Sequence, residues 1–307
     1  MISVILAKKI LSLFLVMALG FLLVKKKILK AEDSKVMSVI SLHLIIPCVI
    51  LSAFQVEYTA QIRDGLLLAF AASVLLHIVL IVVTEIFGKI CRMDAVEKAS
   101  VIYPNAANLI MPIVMSVLGD EWVIYTSAFC SVQLILLWSH GKMLLCGEKK
   151  IDIKKIVTNV NMIAIMIGIV LFFGKLRFPQ MVQDSIEMVA DTVGPIAMII
   201  TGMLIGGMNF KKIFAYKRMW LVIVLRLVAV PVLCVLAIKY SGLIGLVPEG
   251  ETILLITLLP AITPPASTIT QMAQIYGKDA DYASAINVVA TLLCIITMPL
   301  MVMLYQM

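Results

Sequence analysis

Two stretches decide how this chain folds: SVIYPNAANLIMPIVMSVLG, Ser100 to Gly119, and LLPAITPPASTITQMAQIYG, Leu258 to Gly277. Both are apolar, and both are interrupted by proline. The first holds Pro104 and Pro112, with Asn105 and Asn108 between them. The second holds Pro260, Pro264 and Pro265, followed by Ser267, Thr268, Thr270 and Gln271. Proline lacks the N–H of the helical ladder and clashes with the carbonyl one turn back, so a helix stops or kinks there. Lipid offers no partner to the freed carbonyls, and such backbone is tolerated only where it faces protein or a watery cavity. A broken helix also presents free N–H groups and a positive dipole end in mid-membrane. Two such ends meeting near the bilayer centre would attract a carboxylate. Asn105 and Asn108 would offer amides there, and Ser267 and Thr268 hydroxyls.

The rest of the chain fits that reading. Of 307 residues, 62% are hydrophobic and 14% charged, where soluble domains carry about 25% charged. The mean hydropathy is +1.10. This excludes a soluble enzyme, a disordered protein and a nucleic-acid-binding module, and predicts an all-α polytopic membrane protein. Ten spans are expected: 3–24, 36–54, 65–87, 99–118, 122–139, 156–173, 186–208, 219–238, 252–275 and 282–304. The first is read as a retained span, because its lysines follow the apolar core and no convincing A-x-A site precedes them. The connections are short, the longest being 140–155, and leave no room for a soluble domain. Six scattered cysteines form no CxxC and suggest neither a disulfide framework nor a metal site.

Charge sets the orientation. Loops 25–35, 88–98, 140–155, 209–218 and 276–281 hold 18 Lys and Arg, and the four alternate loops hold 4. Basic loops stay cytoplasmic, so both termini are expected outside the cell membrane. Loop 140–155 divides the spans five and five. An odd number per half inverts the second half, so residues 1–147 and 148–307 are expected as two inverted five-helix repeats. The proline-rich stretch is the fourth span of each half, hence helices four and nine. Interrupted spans at matching places in two halves point to a transporter binding site. That pairing favours a binding role over simple kinking for these prolines, and the expected substrate-binding set is Asn105, Asn108, Pro112, Pro264, Pro265, Ser267 and Thr268. Pro47, Pro195, Pro231 and Pro299 are read as packing kinks.

Ionisable groups within spans are functional candidates by default. Arg226 reads either as a counter-charge for an anion or a moving carboxylate, or as a structural or snorkelling cation. Asp191 reads as a proton or sodium site, or as half of an ion pair. His43 and His77 read as proton carriers or as hydrogen-bonded packing residues. Gln133 is polar in mid-span without an evident structural need. The glycines Gly202, Gly206 and Gly207 are expected at a close helix contact.

At these residues the sequence resembles the auxin efflux carrier family, including bacterial members and the plant PIN-type carriers. The resemblance rests on Pro104-Asn105 with Pro112, on Pro260 and Pro265, and on the closing segment Tyr276 to Leu300. It extends through Gly20 to Leu29, the Pro47 region, Gly194 to Gly207, and Arg226 to Pro231. It implies ten helices in two inverted repeats, helices four and nine crossing at their prolines, substrate beside the crossing, and elevator-like alternation. It implies a substrate contact for Asn105 and a supporting role for Gln133. Ala261 stands where PIN-type members have glutamine, and their long central loop is absent. The implied substrates are therefore small carboxylates such as malate or malonate, more than auxin itself.

The expectation is a secondary transporter of a small organic anion, with no cofactor and no metal. The alternative is a sodium- or proton-coupled carrier of another solute, resembling bile-acid symporters. A channel, a non-transporting receptor and an intramembrane enzyme fit less well. The chain lacks H-E-x-x-H and G-x-S-x-G, and paired broken helices suit a carrier better than a pore. The proton or sodium coupling and a homodimer stay open.

Overall fold

The computed structural model describes residues 2–147, 153–208, 213 and 216–307, with backbone alone over 2–11 and at Asn108, Ser116, Lys155 and Ile156. Among the described residues thirteen helices follow one another: α1 (Ile2–Lys25), α2 (Ala31–Ala53), α3 (Ala60–Ile90), α4 (Ala95–Ile102), α5 (106–117), α6 (Asp120–Cys146), α7 (Ile153–Val157), α8 (Val160–Phe173), α9 (Gln180–Gly207), α10 (Met219–Tyr240), α11 (Gly250–Ile262), α12 (Ser267–Ile275) and α13 (Ala280–Gln306). The described residues contain no strand, only an isolated antiparallel bridge between Pro104 and Pro265. Helices α2, α3, α6, α9, α10 and α13 are long and apolar enough to cross a membrane; residues Ser12–Lys25, α8 and α11 are shorter apolar helices.

The elements follow from local chemistry. Thr59 accepts from the Ile62 N–H (3.1 Å) and opens α3. Asp94 and Glu97 form a reciprocal capping box at the start of α4. Asn159 caps α8 and Asp279 caps α13. In α3, Leu66, Ala69, Ser73, Leu76, His77 and Leu80 are buried, while Leu67, Val74, Ile78, Val82 and Ile86 are exposed. An exposed apolar stripe opposite a buried one suits a helix between lipid and protein. Buried hydroxyls turn back onto their own helix: Ser73 donates to the Ala69 carbonyl and Thr84 to that of Leu80, both at 2.6 Å.

Three prolines are absorbed by widening the helix. Segments Ser41–Ile45, Ala106–Ile110 and Leu225–Ala229 are π-helical, and Pro47, Pro112 and Pro231 follow two residues after each. A π turn relieves the clash between the proline ring and the preceding turn. Pro112 thus behaves like Pro47 and Pro231 and sits buried inside a helix.

Helix α3 packs against α6, α10 and α11, and α12 against α13. The tightest contact joins α1 to the second part of α9, Val193–Gly207. There a Cβ on Gly202 would strike the Met17 carbonyl, and one on Gly20 the Ile199 carbonyl. Elsewhere, Gly168 of α8 lies against the Phe54 ring at the end of α2.

Replacing Gly202 by leucine is expected to separate α1 from α9 and cost about 1–3 kcal/mol, the range for overpacking. Gly245→Ala meets open space and is the control. Melting of the detergent-solubilised variants reads the difference; equal melting points would show the contact to be slack.

Candidate functional site

The two quoted stretches meet through their backbones. Helix α4 ends at Ile102 and the helical pattern resumes at Ala106. Helix α11 ends at Ile262 and α12 starts at Ser267. Between these ends, Pro104 and Pro265 lie side by side in the antiparallel bridge. The Asn105 N–H donates to the Pro264 carbonyl and the Ala266 N–H to the Tyr103 carbonyl, each at 2.9 Å.

The carbonyls that the bridge leaves over are taken by side chains. Gln133 of α6 donates from Nε2 to the Pro104 carbonyl (2.8 Å). Asn287 of α13 donates from Nδ2 to the Pro265 carbonyl (2.6 Å). Arg226 of α10, 0% exposed, donates from Nε to the Thr263 carbonyl (2.8 Å), from Nη1 to Val101 (2.9 Å) and from Nη2 to Pro260 (3.3 Å). The Thr263 hydroxyl also donates to the Pro260 carbonyl (2.8 Å). Arg226 therefore joins the ends of α4 and α11. Its pairing is with backbone, and no carboxylate among the described residues forms an ion pair with it.

The expected site residues separate into groups. Asn105, Ser267 and Thr268 are half-buried next to the bridge, and Pro264 and Pro265 are buried in it. Gln133 touches it directly. The Asn108 side chain lies outside the described residues. His77 is buried against Phe129 of α6, ring centroids 4.4 Å apart. Its Nδ1 meets the Ser73 carbonyl at 2.7 Å, while Nε2 and the Gln133 Oε1 atom are buried with no partner among the described residues. His43 is exposed on α2. Asp191 is exposed at the turn between the two parts of α9, away from these contacts. Tyr103, Thr263 and Asn287 join the site from the structure alone. Tyr103 is fully buried and its hydroxyl reaches the Leu136 carbonyl (3.0 Å) and His140 Nδ1 (2.8 Å). Asn287 carries the signal that marked Gln133, a lone amide within an apolar span.

A second polar cluster ties α4 to its neighbours at the other end of that helix. Arg218 donates from Nε and Nη2 to the two oxygens of Glu97, both at 2.8 Å, and Tyr282 donates to Glu97 (3.0 Å). These residues, with Asp94, Tyr216 and Asp279, line a cavity of about 400 Å³. Glu97 precedes the expected span 99–118. Burial alone would raise its carboxyl, but Arg218, the Asp94 N–H and the Tyr282 hydroxyl hold it below its ordinary value.

The sequence matches the family described as "Membrane transport protein" over residues 5–155 and 148–302. The chain belongs to that family, the auxin efflux carriers. Two Arabidopsis thaliana members are similar to it. Protein PIN-LIKES 1 is 25% identical over 159 residues, 48% of this chain and 34% of the relative. Protein PIN-LIKES 7 is 29% identical over 110 residues, 35% of this chain and 27% of the relative. The chain thus spans about a third or less of each relative's length. Membership agrees with the apolar helices: this is a multi-pass membrane protein of a transport family rather than an enzyme family.

The Glu97 cluster carries a pH prediction. A carboxyl held below its usual value of 4.5 in the folded state contributes stability that is full above that value. The contribution is lost as pH falls through the depressed folded value. Melting temperature measured from pH 6 downward is expected to drop more steeply for the wild type than for Glu97→Gln. Parallel curves would remove Glu97 as the titrating group.

Proposed function

We propose that the chain is a secondary carrier of a small organic anion, in the cell membrane with both termini outside. In this reading it has ten spans in two inverted repeats, residues 1–147 and 148–307. α4 with α5 and α11 with α12 are the interrupted fourth and ninth spans. Pairwise contacts support the repeat. Gln133 of the fifth span serves Pro104 as Asn287 of the tenth serves Pro265. The first span packs on the seventh as the sixth packs on the second, which is the exchange expected when the halves swap places.

The observation that carries the proposal is the buried Arg226 beside the Pro104–Pro265 bridge, without a carboxylate partner among the described residues. The guanidinium offsets the negative ends of α4 and α11, so the N-termini of α5 and α12 beside the bridge leave positive potential in a low-dielectric site, which attracts an anion. Asn105, Ser267 and Thr268 supply neutral hydrogen-bonding groups at the same place. Substrate binds against the bridge, and Arg226 acts on it through the field, its N–H groups being committed to carbonyls. Because the bridged segments share hydrogen bonds, alternation moves them together, in elevator fashion. The bare acceptors His77 Nε2 and Gln133 Oε1 favour a proton or sodium as co-ion over uniport.

Counterflow in proteoliposomes tests the reading with labelled malate, malonate and indole-acetate, each with and without sodium and at two pH values. At least one should exchange against its unlabelled form. Asn105→Ala is expected to cut that exchange at least about tenfold, the effect of losing roughly 1.4 kcal/mol of binding, at normal membrane abundance. Exchange of a cation or neutral solute alone would overturn the anion reading; wild-type exchange and affinity in Asn105→Ala would overturn the site.

A further inference from the structure

We propose that Asn287 is a positioning residue of the site, the second-half counterpart of Gln133, and that the two amides act jointly on one bridge. The inference rests on the carrier reading for its substrate effect. Neither amide is placed as a ligand of the organic anion; each fixes the peptide that presents one.

The geometry is matched on both sides. The Pro265 carbonyl belongs to the peptide that enters α12, and Ala266 is extended there at φ −64°, ψ 135°. That carbonyl cannot serve the helix that follows, and Asn287 Nδ2 is the donor that meets it, at 2.6 Å. The Ala266 N–H of the same peptide crosses to the Tyr103 carbonyl. One peptide plane is thus held at both ends, by α13 and by the opposite stretch. The next residues are Ser267 and Thr268. On the other side Gln133 holds the Pro104 carbonyl at 2.8 Å, and the Asn105 N–H crosses to Pro264. There the next side chain is Asn105. Each amide therefore sets the angle at which the adjoining polar group meets solute. A carboxylate in place of either amide would set oxygen against oxygen, and an alkyl group would leave the carbonyl without a donor.

Asn287 also stands five residues beyond Tyr282 on α13, and Tyr282 donates to Glu97 at the start of α4. α13 thus reaches the first interrupted stretch at one level and the second at another. Its amide is placed by a helix anchored to both.

The test measures labelled malate counterflow and solute-free melting for Asn287→Leu, Asn287→Gln, Gln133→Leu and the Gln133→Leu/Asn287→Leu double variant. Asn287→Leu is expected to raise the half-saturating malate concentration about tenfold, the effect of losing roughly 1.4 kcal/mol of binding, with the maximal exchange rate within twofold. Asn287→Gln keeps a donor of the kind its counterpart uses and should recover most of the affinity. Half-saturation unchanged in Asn287→Leu would overturn the positioning role. Leu and Gln variants equally impaired, and equally lowered in melting point, would mark a merely structural residue and overturn it too. The melting data stand apart from substrate. If wild type exchanges no malate, the carrier reading fails for that anion, and the joint action is then judged by coupling. Two groups holding one bridge should give non-additive melting shifts; additive shifts would overturn it.

Discussion

A backbone N–H or C=O surrounded by apolar material must find a partner, and in lipid that partner has to be protein. This constraint organises the molecule. Helices satisfy it along most of the chain. It fails at Tyr103 to Asn105 and at Thr263 to Ala266, where the helical ladder stops. Each stretch supplies the other with the missing bonds through the Pro104–Pro265 bridge. Gln133, Asn287, Thr263 and Arg226 take up what remains. A buried polar group without a partner costs about 1–3 kcal/mol. Several such groups at once would use up much of the stability of an ordinary domain, so the four side chains support the bridge jointly.

The same arrangement shapes the chemistry available to the site. Arg226 is bound to carbonyls at the ends of two helices, where the dipole is negative. The guanidinium is planar and cannot easily lose its charge, so it stays cationic while its N–H groups serve the fold. Asn105, Ser267 and Thr268 remain half-buried beside the bridge. Charge and hydrogen bonding are thus divided between different residues. One cation sets the sign of what is attracted, and neutral groups set its shape.

Much of this was legible in the sequence. The prolines marked the two stretches, and their apolar flanks marked the helices that hold them. The lone amide of Gln133 stood out for the same reason that Asn287 should have. Other features could not be read. From sequence Arg226 reads equally as a counter-charge or a structural cation, but its partners are main-chain carbonyls, and these leave no trace in residue identity. Asp191 and His43 were candidates because of their position along a span. Depth says nothing of which face a residue occupies, and both are exposed. Pro112 looked like Pro104, yet a π turn absorbs it inside a helix as it does Pro47 and Pro231. Sequence locates a proline but does not say whether the chain around it stops or widens.

The backbone bridge also bears on biosynthesis. The acceptor for the Asn105 N–H is the Pro264 carbonyl, some 160 residues later in the chain. While the ribosome adds those residues, the first stretch has its neighbours from α3 and α6 but lacks its permanent partner. It must wait in water, in a temporary pairing or beside the insertion machinery until α11 and α12 arrive. Closing the bridge is therefore a late event in assembly.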